Sequence, residues 1–179
     1  MQYPSIRTGR LELVPATLQI LISDRNERAM LARLLDADIP ASWPPELVDK
    51  ATMDEFIRLQ AEQSDPHFCS WYWIRCGQDR VLIGSGGIAS VPGESDTVMI
   101  GYSVLREFRN RGYATEAVQH LASFIVTIPG VRRILATTYP ELKASIRVLE
   151  KSGFVPDGIT EGGAGMEEGT IRYVLEAPT

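Results

Sequence analysis

Cysteine is scarce in this chain. Only Cys69 and Cys76 occur among 179 residues, and the six positions between them fit neither a CxxC redox pair nor a zinc knuckle. With two histidines in all, no metal is expected, and the thiols read as small residues in or beside a strand. Long apolar runs are also missing: none approaches the roughly 20 residues that span a bilayer, so no membrane partner is expected. Met1 to Arg10 has no apolar h-region, which predicts no secretory signal and a cytoplasmic location. Positive charge is in deficit, with 18 Lys and Arg against 23 Asp and Glu and a net charge of -5. Nucleic acid, which calls for a clustered basic surface, is therefore not an expected partner, and a cationic substrate such as an amine fits better. No repeat, low-complexity tract or linker divides the chain, so residues 1–179 read as a single domain long enough to bury its own core.

Hydrophobic residues make up 44% of the chain, and their spacing orders it. Arg10 to Val14 alternates like a strand and stops at Pro15. Thr17 to Leu35 has helical spacing, with a break expected near Ser23-Asp24. Ser42-Trp43-Pro44-Pro45 is a loop, because two prolines exclude regular structure, and Lys50 to Gln63 is a second amphipathic stretch. The period then drops to two: Trp71 to Arg75, Val81 to Val91 and Thr97 to Leu105 read as an antiparallel meander joined by Gly-containing turns. Thr115 to Val126 is the clearest helix, Arg133 to Tyr139 a fifth strand, and Ala144 to Lys151 a helix stopped by Gly153. Phe154-Val155 and Thr170 to Leu175 complete the pattern as a hairpin across a flexible Gly-rich connection. The expected fold class is α/β (α+β), a mixed, mostly antiparallel sheet of about six to seven strands with helices on both faces.

One segment carries chemistry. The strand Ile100-Gly101-Tyr102-Ser103-Val104-Leu105 leads into Arg109-Asn110-Arg111-Gly112-Tyr113-Ala114-Thr115, which opens the best helix. A helix start leaves amide N–H groups unsatisfied at the positive end of the dipole and is a ready anion site. Gly112 removes a Cβ from the path of a bulky anion, Ala114 keeps the next wall low, and Arg109 and Arg111 add charge-assisted hydrogen bonds suited to phosphate. The bland alternative is a turn with exposed arginines. No Walker lysine follows, and the three spaced glycines of a Rossmann fingerprint are missing. Gly84-Ser85-Gly86-Gly87 is a decoy: β-rich sequence follows it, so a bulge or a close backbone approach within a strand is expected there.

Arg-x-x-Gly-x-Ala after a strand resembles the pyrophosphate loop of the GNAT superfamily of N-acetyltransferases. Thr8 to Leu13 resembles the opening strand of its Rim-type branch, named for ribosomal-protein N-terminal acetyltransferases. Ile100 to Val104 resembles that branch's central strand, and Ala144 to Phe154, with Ser145, Leu149-Glu150-Lys151 and Gly153-Phe154, its second cofactor segment. The resemblance implies the GNAT fold and acetyl-CoA as co-substrate. It also implies pantetheine pairing with backbone groups of Val104, Leu105 and Arg106, and a pyrophosphate cradled by the amides of Arg109, Asn110, Arg111, Gly112, Tyr113, Ala114 and Thr115. Ser145 would stand near the thioester sulfur and Lys151 near the adenosine. Tyr102 and Tyr139 are candidates for proton handling, Tyr139 also for the acceptor pocket with Trp43, although each could simply pack. A homodimer is common in that family.

Two positions depart from the pattern. Met99 stands where the family often has a glutamate proposed as general base, and Leu142 where it usually has asparagine. Glu94, Asp96 and Glu12 are the replacement carboxylates within sequence reach. With this equipment thinned, the acceptor expected is a small-molecule amine or a protein N-terminus, whose α-amine is already partly neutral. A module that binds CoA without turnover is the competing reading.

Overall fold

The structure is a computed structural model describing residues 3–178. Its elements are β1 (Ile6–Arg7), β2 (Leu11–Pro15), α1 (Leu18–Asn26), α2 (Arg28–Leu35), α3 (Lys50–Glu62), β3 (Cys69–Arg75), β4 (Val81–Val91) and β5 (Glu94–Val104). A 3-10 turn (Arg106–Phe108), α4 (Tyr113–Ile125), β6 (Arg133–Thr138), α5 (Lys143–Lys151), β7 (Val155–Ile159) and β8 (Ile171–Glu176) follow. Eight strands form one sheet in the order β1-β2-β3-β4-β5-β6-β8-β7. That is one strand more than the upper expectation, because the two-residue β1 pairs Ile6 with Leu13 and Arg7 with Glu12. Two residues carry too little periodicity to read as a strand from sequence.

Alternation along β3 shows why the sheet is buried on both faces. Trp71 and Trp73 join the core beneath α4 and α5, whereas Tyr72 and Ile74 join the core beneath α1, α2 and α3. A strand covered on both sides reads as a continuous apolar run rather than as an alternating one. In α4, Ala117, Val118, Leu121 and Ile125 are fully buried; each of the three larger side chains contributes about 1.5–3 kcal/mol by leaving water.

Boundaries moved where local hydrogen bonding outweighed periodicity. The first helical stretch breaks at Glu27, whose amide donates to Ser23 O (2.7 Å) and whose backbone is neither helical nor fully extended. Ser23-Asp24 stays helical because Asp24 uses its carboxylate in tertiary bonds rather than in a turn. The β4–β5 turn is tight, with Gly93 at φ 83°, so β5 starts at Glu94 rather than Thr97.

The Gly84–Gly87 segment lies inside β4 as a close approach. A Cβ on Gly86 would sit 2.7 Å from Cζ2 of Trp73, and one on Gly87 2.7 Å from the Cys69 carbonyl oxygen. These glycines make room for an indole and a neighbouring strand.

Candidate functional site

The site begins where the sheet opens. β5 and β6 run parallel and pair only at Thr97–Met99 with Arg133–Leu135. Beyond Met99, β5 keeps its β4 partner through Val104 but, among the described residues, has no strand on its other edge. Leu105 donates its N–H to Ile83 O (2.8 Å). In an antiparallel ladder the inward and outward groups alternate, so the backbone groups of Ile100, Tyr102 and Val104 face the open wedge. Leu105, expected among the wedge-facing groups, instead spends its N–H on Ile83 and its carbonyl on Phe108 N (3.0 Å). The Val104 carbonyl accepts from Arg109 Nε (2.9 Å).

The start of α4 stands at the end of the same strand. Asn110 (φ 60°) and Gly112 (φ 81°) are both left-handed. Gly112 is the N-cap and contributes no side-chain bond. The first helical bond runs from Glu116 N to Gly112 O (3.0 Å), and among the described residues no acceptor takes the amides of Gly112, Tyr113, Ala114 or Thr115. The helix start is therefore not capped by the protein itself.

A latch missed by sequence reasoning steadies this turn from the β1–β2 side. Arg10 donates through Nη1 to Arg111 O (2.9 Å) and through Nε to Glu116 Oε2 (2.7 Å). Its guanidinium lies 4.4 Å from the centroid of the Tyr113 ring. Thr8 Oγ1 and Arg10 N both donate to Glu116 Oε1, at 2.5 and 2.7 Å. Burial alone would raise the Glu116 pKa, but these donors outweigh it and hold the carboxyl below its usual range. Thr8-Gly9-Arg10 reads as a strand opening in sequence, and nothing local points 106 residues ahead.

Across the wedge, the Tyr102 hydroxyl lies 3.4 Å from Ser145 Oγ in the first turn of α5. The structure thus brings these two predicted residues together. Tyr102 stacks on Trp73 (ring centroids 6.2 Å, 24° between planes), and burial pushes its phenol up to about 12. At neutral pH the phenol keeps its proton, so it can donate a hydrogen bond and cannot serve as a base. Lys151 is six residues further along α5, about 9 Å by helical rise, and its carbonyl accepts from Gln119 Nε2 (2.9 Å).

The opposite face differs. Trp43 is only 5% exposed; its indole N–H donates to Asp24 Oδ1 (2.7 Å) and its ring packs on Tyr72. It anchors the loop and does not present an open wall. The Tyr72 hydroxyl donates to Asp24 Oδ2 (2.6 Å), and burial raises the Asp24 pKa despite these bonds. Tyr139 is 39% exposed just past β6, and its hydroxyl donates to Glu167 of the β7–β8 connection. Glu167 was not anticipated from the sequence, and no cation pairs with it among the described residues. Glu94 and Asp96 are occupied by Arg133 (both 3.3 Å), and Glu12 by Arg80 (2.8 Å). Leu142 is 47% exposed at the start of α5. The Cys69 thiol is buried and pushed up to about 12, which keeps it protonated and poorly nucleophilic.

Between Ser42–Glu46 and Leu105–Arg109 lies an open groove of about 260 Å³. Glu46, also not anticipated, pairs there with Arg106 (2.5 Å) and Arg109 (3.9 Å).

Known proteins place this geometry. The N-acetyltransferase YjdG of Bacillus subtilis (strain 168), which is uncharacterised, is 24% identical over 150 residues, covering 84% of this chain and 89% of its own. RimJ of Mycobacterium smegmatis, solved in complex with CoA-disulfide, superposes with a TM-score of 0.64 at 20% identity, over 97% of this chain and 86% of its own. The ribosomal-protein-S5-alanine acetyltransferase of Vibrio fischeri superposes with a TM-score of 0.65 at 17% identity, over 98% and 97% of the two chains. Residues 10–155 match the model of the acetyltransferase (GNAT) domain, and with the open wedge and uncapped helix start this shows that the chain belongs to the GNAT family of N-acetyltransferases.

Proposed function

We propose that this enzyme transfers an acetyl group from acetyl-CoA to a primary amine by direct attack in a ternary complex, and that the acceptor is a peptide or protein α-amine or a small amine of low basicity. The observation that carries this is the juxtaposition of unclaimed amides at Gly112–Thr115 with the unpaired edge of β5. The amides bind a diphosphate, and the edge aligns an amide-containing arm beside Ile100, Tyr102 and Val104 as an added strand would.

The residues divide the work as follows. A wedge-facing amide of β5 polarises the thioester carbonyl in the manner of an oxyanion hole. The incoming nitrogen attacks the carbonyl carbon, the C–S bond breaks, and the thiolate takes the proton of the Ser145 hydroxyl, which solvent restores, while the protonated Tyr102 phenol 3.4 Å away holds Ser145 in place. The nitrogen's surplus proton goes to solvent or to Glu167, whose carboxylate already accepts from Tyr139 at the end of β6.

The choice of acceptor rests on magnitudes. Met99 takes no proton, and general-base help is worth about 10²- to 10⁴-fold. An α-amine with pKa near 7.8 is about one-third neutral at pH 7.5, whereas a lysine amine near 10.4 is about one part in a thousand neutral. An enzyme with little base assistance therefore favours the α-amine. The name of the S5-alanine relative points in the same direction, since alanine carries no amine but its α-amine.

The test is CoA-thiol release over a panel of peptides with free α-amines and of lysine-type amines. α-Amines are expected to turn over about 100-fold faster at pH 7.5. Equal rates would remove the acceptor assignment. CoA binding without thiol release from any amine would leave only the binding half of the proposal.

A further inference from the structure

We infer that Glu46 is an internal stand-in for a cofactor phosphate, and that Glu46–Leu47 is a short strap released when the diphosphate takes over its arginines. The inference rests on the acetyl-CoA reading above and deepens it.

The loop between α2 and α3 is held by two unlike sets of bonds. Its first half is anchored to the helical layer. Arg28 donates to Pro40 O (2.6 Å) and Trp43 O (2.9 Å), and the Trp43 indole donates to Asp24 (2.7 Å) above the Tyr72 ring. Its second half reaches across the groove to the β5–α4 connection, where Arg106 Nη2 donates to Glu46 Oε1 (2.5 Å) and Arg109 Nη2 stands 3.9 Å from Oε2. Ser42 adds a bond to Glu107. Pro45 is buried and Val48 packs on the core beneath α1 to α3, whereas Leu47 between them is 73% exposed, so within residues 45–48 only Glu46 and Leu47 lack apolar cover.

Arg109 is bonded to both sides of this arrangement, through Nε to the wedge-facing carbonyl of Val104 (2.9 Å) and through Nη2 toward Glu46. It begins the turn whose amides face the diphosphate, so a guanidinium that already has a carbonyl and a carboxylate as partners stands next to the phosphate position. A diphosphate carries more charge than a carboxylate and suits the guanidinium fork. It displaces Glu46 and frees Glu46–Leu47, while Trp43 stays in place on Asp24 and Pro45 stays buried. Cofactor occupancy thereby opens the groove next to the wedge, and Glu46 weakens cofactor binding by the strength of the pairs that must be broken.

Exposed pairs of this kind are weak, so Glu46→Gln is expected to tighten CoA and inorganic pyrophosphate alike by about two- to fivefold in calorimetric titration. Binding of pantetheine, which lacks the diphosphate, should not change. Hydrogen exchange over residues 46–49 is expected to accelerate when wild-type protein is saturated with CoA. It should already be fast in Glu46→Gln without CoA, which then adds nothing. Wild-type CoA binding with an unchanged Kd in Glu46→Gln, or with slower exchange at 46–49, overturns the strap and leaves the acetyl-CoA reading standing. Failure of the wild type to bind CoA overturns both.

Discussion

The two sides of the sheet solve the placement problem with different materials. On the side of α4 and α5, the candidate site is built mainly from backbone, four unclaimed amides at a helix start and the bare edge of β5, with Tyr102 and Ser145 beside them. On the side of α1 to α3, the candidate groups are side chains already bonded to one another: Trp43 to Asp24 and Glu46 to Arg106. A backbone site needs only one permissive residue and a strand–helix order. A side-chain site needs several partners brought from distant parts of the chain, and each of them can be swapped without changing the fold. The backbone half is therefore encoded by a short local segment, whereas the side-chain half depends on the folded chain.

The largest expected effect tests the backbone half. Gly112→Trp puts a bulky side chain on a left-handed N-cap whose Cβ would lie 3.3 Å from Arg10 Nη2, directly beside the free amides. CoA affinity should fall by more than about 100-fold, as expected for losing several charge-assisted hydrogen bonds. The backbone strain costs about 1–2 kcal/mol, or several degrees in Tm for a chain of this size, so the folded protein survives to be measured by calorimetry. CoA affinity within threefold of wild type would show that the diphosphate lies elsewhere.

A smaller effect asks whether the wedge holds more than geometry. Ser145→Ala should lower kcat about tenfold with little change in the KM for acetyl-CoA, the signature of a hydroxyl that acts on the leaving thiolate and not on the bound ground state. Tyr102→Phe should fall in the same range. The double variant should be no worse than about the poorer single one, since the two hydroxyls 3.4 Å apart act as a unit. Independent, multiplying losses would assign them separate roles.

This contrast also explains what could be read from the sequence. Arg109 to Thr115 was legible because a Gly at a strand–helix junction is a local signal for a local structure. The Gly84–Gly87 decoy was resolved the same way, by the β-forming residues that follow it. Trp43 was legible as a loop tryptophan that either lines a pocket or packs, and the choice could not be made locally, because its burial depends on Asp24 and Tyr72 closing over it from two other elements. Leu105 could not be excluded from the wedge edge without the phase set by its bond to Ile83. Arg10, Glu46, Glu116 and Glu167 were invisible as site residues, since each acts through a partner that only the folded chain supplies.

The smallest effect concerns the one side-chain latch on the backbone side. The Glu116 carboxyl, 16% exposed, is held below its ordinary pKa by Thr8 and Arg10 against the opposing effect of burial. A carboxyl whose folded pKa is depressed adds stability that is fully present above its unfolded pKa, near 4.3. That stability is lost as pH falls through the lower folded value. Glu116→Gln should therefore cost about 1–2 kcal/mol at pH 7, or about 2–8 °C in Tm. The gap between variant and wild type should shrink as the pH is lowered from about 5 toward 2. CoA binding tests whether the latch also serves the site. Arg10 touches Arg111 O and the Tyr113 ring but none of the free amides, so affinity at pH 7 should weaken no more than about threefold. A larger loss would mean that the helix start is held in shape by Glu116, and that this side too depends on side chains gathered from afar.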